Sequence, residues 1–340
     1  MNTWQIPLMD AASRGDLDGI KAHLGDVPHV DVQERGWSAL QLAIHKGHGP
    51  AALALLEAGA SASQTNSGHY TPLWRASVRG MEAVAAALLE RGADVDAQDM
   101  EDGKSPLIIA SLRGHVGLVK VLLGAGASLS AMTHQGMTAL EAAQRACQIR
   151  KGQAAERAQE VLALLTAAVD SAVAKNDPEA ARVAAACGRL EAIERLLGAE
   201  VDCDAPGPWN QTALVLAAVQ GHADVVARLL EAGAQWQRPT VRRIHFERVK
   251  LGDDALWWAV ARDRAEVVRV LASGGADLQR TDAWANTALH HAAQAGKLQA
   301  AQALLDAGAS PQVVNRRGQK PVDVAREGSF EALAELLSAD

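Results

Sequence analysis

The chain has 340 residues and a formal net charge of -7, and 49% of its residues are hydrophobic although only 3% are aromatic. This much apolar surface excludes a disordered chain, and the shortage of aromatic residues argues against an all-β barrel. The negative charge argues against general binding to nucleic acid or to anionic membranes, and no apolar run approaches the roughly 20 residues of a membrane span.

The cysteines and the start of the chain indicate the compartment. Cys147, Cys187 and Cys203 are too widely spaced for a disulfide framework or a zinc site, and the first residues show no secretory signal. We therefore expect a cytoplasmic protein without a bound metal.

A block of ten residues recurs along the chain, and residues 71–80, 105–114, 212–221 and 287–296 show it well. It begins with Thr or Ser, continues with Pro or Ala, Leu, two variable residues and Ala, and usually ends in Gly. The last position, here called the marker, falls at Gly15, Gly47, Gly80, Gly114, Cys147, Gly188, Gly221, Asp263, Gly296 and Gly328. Subtraction of successive markers gives steps of 32 to 34 residues, apart from two steps of 41 and 42. The chain is therefore an array of about ten units and not two globular domains.

Each unit predicts a pair of helices. Thr or Ser caps the first helix, Pro fits its first turn, and the marker Gly ends it in a left-handed conformation. An apolar face such as Val225, Val226, Leu229 and Leu230 indicates the second helix. One unit cannot bury a core alone, so we expect the units to stack on each other.

The period and the Thr-Pro-Leu-His-x-Ala block resemble the ankyrin repeat family over essentially the whole chain. The closest matches are Thr-Ala-Leu-His-His-Ala at 287–292 and Thr-Pro-Leu-Trp-Arg-Ala at 71–76. The resemblance implies an all-α solenoid of helix-turn-helix repeats with β-turn fingers at one edge. It also implies that partners contact the finger tips and the exposed side of each first helix, which line a concave groove.

The first long step indicates an insertion near 148–157, between or within the two helices of the fifth unit. Residues 166–175 look like continued helix, which Asn176, Asp177 and Pro178 would stop. We place a joint here, with an N-terminal ankyrin-like block at 1–176 and a C-terminal block at 177–340. The alternative is a repeat that has drifted in sequence and still stacks, with altered curvature.

The second long step predicts an extended finger near 236–252. Arg242, Ile244, Phe246 and Arg248 alternate with the residues between them, as the two faces of a β-hairpin would. The segment is basic in an acidic protein, and insertions in repeat proteins tend to lie on the binding face. We expect Arg242 and Phe246 to contact a partner; the alternative is a tolerated loop.

The sequence predicts neither catalytic residues nor a cofactor-binding site. It lacks the Gly-rich phosphate loop ending in Lys-Ser or Lys-Thr and the His-Glu-x-x-His zinc motif. His290 and His291 are adjacent on a helix, so their side chains diverge and cannot hold one ion. The resemblance implies that His290 forms a local structural hydrogen bond.

A cationic row runs along the expected groove, at or next to the sixth residue after the conserved Leu of several units. We expect an acidic patch on the partner to contact the row, whose candidate binding residues are Lys46, Arg79, Arg113, Arg145 and Arg262. The alternative is that basic residues occupy this position only for solubility.

The fingers supply a second group of candidates, because Trp, Tyr and Met at finger tips are typical of interfaces. These are Trp37, Tyr70, Met137, Trp209 and Trp284. We expect Trp37, Trp209 and Trp284 to be exposed; the alternative is packing against a neighbouring finger. Trp74, Trp257 and Trp258 lie within first helices, where packing is the simpler interpretation.

The sequence thus predicts a non-enzymatic protein–protein interaction module that is monomeric when unbound and binds neither nucleic acid nor membrane. Two more specific functions stay open. One is an inhibitor of the immunity or antitoxin type that occludes the active site of an enzyme. The other is an adaptor or scaffold that recruits two proteins.

Overall fold

The computed structural model describes residues 6–207, 210–237, 240–244 and 248–338, and only the backbone of the two strands between 240 and 253. The chain forms two compact units, unit 1 ending at Ala168 and unit 2 beginning at Val169. This division falls inside a helix, a few residues before the predicted joint near 176, which stays a prediction.

Unit 1 consists of five helix pairs, the last of which extends into unit 2. In chain order the helices are α1 (Pro7–Arg14), α2 (Leu17–His23), α3 (Ala39–Lys46), α4 (Gly49–Glu57), α5 (Pro72–Arg79), α6 (Glu82–Glu90), α7 (Pro106–Arg113), α8 (Val116–Gly124), α9 (Ala139–Ile149) and α10 (Gln153–Val173). A short 3-10 helix, Leu24–Asp26, follows α2, and the finger before α3 is a hairpin of β1 (Gln33–Glu34) and β2 (Trp37–Ser38).

Unit 2 continues the same pattern with five further pairs. Its helices are α11 (Pro178–Ala186), α12 (Leu190–Gly198), α13 (Ala213–Gln220), α14 (Ala223–Glu231), α15 (Ala255–Ala261), α16 (Ala265–Ser273), α17 (Ala288–Gln294), α18 (Leu298–Asp306), α19 (Pro321–Glu327) and α20 (Glu331–Ser338). The predicted all-α solenoid of about ten helix-turn-helix repeats is confirmed.

The repeated block forms the first helix of each pair for the reasons that the sequence suggests. In the third repeat the Thr71 hydroxyl accepts a hydrogen bond from the backbone N–H of Trp74 at 3.1 Å, and Pro72 occupies the first turn of α5. The helix ends at Gly80, whose φ of +70° is the left-handed conformation that glycine tolerates best.

Stacking depends on close approach at the same glycine. A Cβ atom on Gly80 would lie 2.6 Å from Nδ1 of His115 in the next repeat. The His115 ring also lies 3.4 Å from the Val78 carbonyl oxygen through Nε2, and His48 and His222 reach carbonyl groups of their preceding repeats in the same way. These three histidines, each of which directly follows a marker Gly, therefore join neighbouring repeats.

First helices pack on first helices and second helices on second helices within each unit. We call the odd-numbered helices of a unit its first-helix layer and the even-numbered ones its second-helix layer. Alanine lines many of the buried contacts, including Ala39 and Ala43 in α3 and Ala142 and Ala143 in α9. The small side chains let the helices approach closely, which accounts for a core poor in aromatic residues.

Backbone hydrogen bonds connect neighbouring fingers. The Ser67 N–H donates to the Gly36 carbonyl at 2.9 Å and the His134 N–H to the Asp102 carbonyl at 2.8 Å; in unit 2 the Arg316 N–H donates to the Trp284 carbonyl at 2.9 Å. The finger tips are thereby held in register with the repeats that carry them.

Both long steps alter the standard repeat. The first lengthens α9 to 11 residues and α10 to 21 residues, so the inserted residues are absorbed into the two helices of the fifth repeat. The second forms an antiparallel hairpin of β3 (Thr240–Ile244) and β4 (Arg248–Asp253), in which Arg242 pairs with Lys250. The extended finger is thus confirmed. Of the helices in the described residues, none combines the length and apolarity needed to cross a membrane.

We expect one buried histidine, His290, to make the fold sensitive to acid. His290 is 1% exposed; its Nδ1 accepts from the Thr287 N–H at 3.1 Å, and its Nε2 lies 3.0 Å from the Gln319 carbonyl. If His290 were protonated, the new N–H at Nδ1 would point at the Thr287 N–H, so the hydrogen bond between them would be lost. Burial lowers the pKa of His290, although the hydrogen bond to Gln319 and the charge of Asp282 oppose the shift.

The variant His290→Gln should remove this acid sensitivity. Gln41 occupies the same position of an earlier repeat, where its amide accepts from the Ser38 N–H and donates to the Gln64 carbonyl. Because the folded-state pKa is lowered, wild-type stability falls as the pH drops below about 6.5, the usual value for histidine. We expect similar free energies of unfolding for both proteins at pH 7.5 and a smaller loss in the variant at pH 5.5, measured by urea denaturation. Parallel pH profiles would contradict the assignment.

Candidate protein-binding site

The first-helix layer of unit 1 carries an exposed cationic row. Its members lie in the C-terminal halves of adjacent first helices, and they are Arg14, Lys46, Arg79, Arg113 and Arg145. Only two carboxylates lie on these five helices, and both have partners. Asp10 pairs with Arg14 at 2.9 Å, and Glu141 accepts a hydrogen bond from the Thr138 N–H at 3.0 Å. The layer is therefore strongly positive, although the whole chain is acidic.

Three members of the row are available to a ligand. Lys46, Arg113 and Arg145 form no ion pair or hydrogen bond with any residue that the structure describes. Arg79 donates to the His45 carbonyl, which ties its guanidinium to the preceding repeat. Unit 1 thus carries a set of exposed cations on adjacent helices, and their contact with a partner stays a prediction.

Beside the row, an arginine is held between two aromatic rings. The Arg75 guanidinium carbon lies 4.6 Å from the centroid of the Trp37 ring and 5.2 Å from that of Tyr70. Nη1 of Arg75 donates to Nδ1 of His45 at 3.1 Å, and the rings of Trp37 and His45 are 5.1 Å apart. The Tyr70 ring stacks on Trp74 at 4.4 Å. These five side chains, which we call the aromatic–arginine ladder, connect the second and third repeats.

The protonation states in the ladder follow from these contacts. Burial and the charges of Arg75, Arg79 and Lys46 lower the pKa of His45, so its ring is neutral and accepts from Arg75. The Tyr70 hydroxyl donates to Oε2 of Glu101 at 2.8 Å, and this hydrogen bond, with burial, raises the pKa of Tyr70 to about 12. Each group is therefore fixed in one protonation state at neutral pH.

The finger candidates of unit 1 are less exposed than expected. Trp37 is half-buried and packs against the core of unit 1 as well as under Arg75, so the prediction of an exposed Trp37 needs correction. Tyr70 is half-buried in the ladder, and Met137 is half-buried against the core. The indole of Trp74 donates to Asp99 at 3.2 Å and to the Lys104 carbonyl at 3.1 Å, which agrees with a packing role. Partner contact by Trp37, Tyr70 and Met137 stays a prediction.

In unit 2 the finger of Trp284 borders a cleft of about 430 Å³. Trp284 is 40% exposed, in agreement with the expectation. Oδ1 of Asp282 accepts from the backbone N–H groups of Trp284 and Asn286, both at 2.8 Å. Burial alone would raise the pKa of Asp282, but the Asn286 and Trp284 donors and His291 outweigh it and lower the pKa. Arg316 and Arg317 line the cleft from the next finger.

The other candidates of unit 2 are placed as follows. Arg262 follows the last residue of α15 and is half-buried. Arg242 lies in β3, where only its backbone is described, whereas Trp209 and Phe246 lie outside the described residues. Trp258 is 4% exposed, and the Trp257 ring packs edge-on against His291 at 3.8 Å.

Sequence patterns do not single out four of these residues, namely Arg75, His45, Arg316 and Arg317. Arg75 directly follows Trp74 in a recognisable repeat block, but only the fold places it over Trp37 of the preceding finger. Basic residues in the finger at 315–318 were a visible signal for Arg316 and Arg317. Throughout the described residues, no three His, Cys, Asp or Glu side chains are grouped so that they could hold a metal ion.

Comparison with known families identifies the class of the protein. A model of ankyrin repeats matches residues 8–99, 181–282 and 256–340, and a model of the single ankyrin repeat matches residues 102–134. The matches cover most of the chain, which therefore belongs to the ankyrin repeat family. Ankyrin repeats generally mediate protein–protein interaction.

Several curated proteins are similar to the chain. Identity is 28% to the Caenorhabditis elegans ankyrin repeat and KH domain-containing protein mask-1, over 97% of this chain and 11% of that protein. It is 34% to the mouse B-cell lymphoma 3 protein homolog, over 33% of this chain and 26% of that protein. It is 29% to the human ankyrin repeat and SOCS box protein 16, over 68% of this chain and 53% of that protein. The chain spans 11% and 26% of the first two relatives and 53% of the third, so the likeness does not extend to their activities as whole proteins.

Truncation of Trp37 and of Trp284 to alanine should change the free energy of unfolding by different amounts. Trp37→Ala removes packing against the core and the stacking of Arg75, so we expect a loss of about 2 kcal/mol of unfolding free energy. Trp284→Ala removes an exposed ring and should cost less than about 0.5 kcal/mol. Denaturant unfolding of both variants checks the difference; equal losses would show that Trp284 is also a packing residue.

The conformation of Ala285, next to Trp284, is strained. Its φ is +60°, and the same position of other fingers is occupied by Gly36, Gly103, Gly136 and Gly318, all with positive φ. Ala285→Gly removes a steric cost of about 1–2 kcal/mol and adds an entropic cost of about 0.5–1 kcal/mol. We expect a net gain of roughly 0.5 kcal/mol in a thermal or chemical melt. The matched control is Ala163→Gly inside α10, which should lose about 1 kcal/mol.

Proposed function

We propose that the chain is a non-enzymatic binding protein whose unit 1 holds an acidic protein partner against its first-helix layer. The observation that carries the proposal is the exposed cationic row, in which Lys46, Arg113 and Arg145 lack a partner in the described residues. The only carboxylates on the same helices, Asp10 and Glu141, are already occupied. An acidic surface would supply the missing counter-charges.

The geometry favours a steered and specific complex. Neighbouring first helices lie about 8–10 Å apart, which is comparable to the Debye length of about 8 Å at physiological salt. The charges of the row therefore add locally, and they speed the approach of an acidic partner more than they increase the final affinity. Because the row sits on packed helices, little conformational entropy is lost on binding.

An adaptor is the second candidate, and the chemistry of unit 2 favours it. Three of its first helices, α13, α15 and α17, contain no Asp, Glu, Lys or Arg, in contrast to the cationic layer of unit 1. A partner that suits one layer would not suit the other, so the two units would recruit different proteins. An inhibitor would use unit 1 as proposed and would also abolish the activity of its bound enzyme.

The compartment and the oligomeric state belong to the same proposal. We propose a cytoplasmic location, since Cys147, Cys187 and Cys203 form no disulfide within the described residues and a reducing environment keeps thiols in this state. We expect a monomer before the partner binds.

Charge reversal tests the proposed face. Affinity purification followed by mass spectrometry identifies the partner, and titration calorimetry then compares Arg113→Glu with Arg145→Glu, separately and combined. We expect the double variant to lose about 10-fold in affinity, or about 1.4 kcal/mol, and to show a weaker dependence on salt. Its melting temperature should not fall, since both side chains are exposed and unpaired in the described structure.

Lys21→Glu on α2 is the matched control, because Lys21 is an exposed cation of the second-helix layer. It changes the net charge as much as either single variant does and should leave the affinity within about twofold. An unchanged affinity in the Arg113 and Arg145 variants, or an equal loss in the control, would contradict the proposed face.

A further inference from the structure

Arg75 is a half-buried cation with no carboxylate partner among the described residues. Its guanidinium lies over the rings of Trp37 and Tyr70, and its one hydrogen bond to a described residue is that of Nη1 to His45. Stacking leaves the edge of a guanidinium accessible, so the remaining N–H donors can still meet a ligand in the plane of the group. The carboxylates beyond the rings are engaged elsewhere: Asp99 accepts from Trp74, and Glu101 accepts from Tyr70.

Two more cations lie beside it. Arg79, the last residue of α5, donates to the His45 carbonyl, and Lys46, the last residue of α3, directly follows His45. Both side chains are exposed. Arg75, Arg79 and Lys46 are all close enough to His45 to disfavour its protonated form. We call these three cations, with the neutral His45 between them, the His45 cluster.

We infer that the His45 cluster binds the phosphate of a phosphorylated peptide segment of the partner. This inference rests on the proposed function and specifies the anion that the row receives at this point. A glutamate or aspartate side chain brings one negative charge to a cluster of three cations. A phosphorylated Ser, Thr or Tyr brings between about 1.5 and 2 negative charges and three acceptor oxygens.

The shapes of the arginine and lysine side chains also favour phosphate over carboxylate as the ligand. The planar donors of arginine match the oxygen spacing of phosphate and form strong charge-assisted hydrogen bonds with it, while a lysine adds a point charge. The Trp37 and Tyr70 rings fix the orientation of Arg75 before the ligand arrives, so little rotamer entropy is lost. Arg113 and Arg145 further along the layer would then contact acidic residues that flank the phosphate.

The test uses the full chain and three position-matched peptide libraries. Their fixed central residue is phosphoserine, glutamate or serine, and the flanking positions are random but enriched in Asp and Glu. Binding of the labelled protein to bead-bound peptides is measured first, and the best sequences are then compared as free peptides by calorimetry. We expect the phosphorylated form to bind at least about 10-fold more tightly than its glutamate counterpart.

Variants separate the cluster from the rest of the face. Arg75→Gln should reduce the preference for phosphate to about twofold or less, and Lys46→Gln combined with Arg79→Gln should do the same at exposed positions where folding is not at risk. Arg113→Gln is the control: it should weaken binding of the phosphorylated and glutamate peptides alike and leave their ratio unchanged.

Three outcomes would overturn the inference. Equal affinity for phosphoserine and glutamate peptides, with both weakened by Arg113→Gln, would reject phosphate recognition and leave the acidic-partner proposal intact. Absence of binding to all acidic libraries would reject both. A phosphate preference that survives in the Arg75 variant and in the double variant would place the phosphate site elsewhere.

Discussion

The structure depends on one constraint, which is that no single repeat buries enough apolar surface to be stable alone. Neighbouring repeats must therefore approach closely, and the sequence allows this through small residues at the contacts. Gly80 is the clearest case, since any side chain there would collide with the His115 ring of the following repeat. The same contact brings His115 toward the Val78 carbonyl, so close packing and polar satisfaction are achieved at one place.

A regular stack turns sequence periodicity into surface geometry. Residues one period apart lie on adjacent helices, and this is why Arg79 and Arg113 become neighbours although 34 positions separate them by subtraction. Charges that look scattered in a chain of net charge -7 are thereby collected on the first-helix layer of unit 1. Net charge describes the average of the protein, whereas a partner meets one layer, and the two can have opposite sign.

The repeat fold could be predicted because most units contain at least two of three local signals: a Thr or Ser cap, a proline in the first turn and a terminal glycine. The hairpin of β3 and β4 could be predicted from the alternation around Ile244. The exposure of Trp37 could not, since it depends on where the Arg75 side chain of the next repeat lies. Contacts between repeats depend on side-chain rotamers as well as on spacing, and a single sequence does not encode these in any local pattern. Family likeness supplied the stacking of the helices but not the aromatic–arginine ladder.

Binding chemistry varies at a few positions of an otherwise constant repeat. The residue after the conserved Leu is Gln41, Trp74 or His290 in three repeats, and each donates to a backbone carbonyl of the next finger. The following residue then differs freely: Arg75 lies between aromatic rings in unit 1, whereas His291 packs against Trp257 in unit 2. Because the neighbouring position already joins the repeats, this one can change from cation to imidazole without loss of the stack. The two units can therefore present different ligand chemistry on the same scaffold, which is the physical requirement for a protein that binds more than one partner.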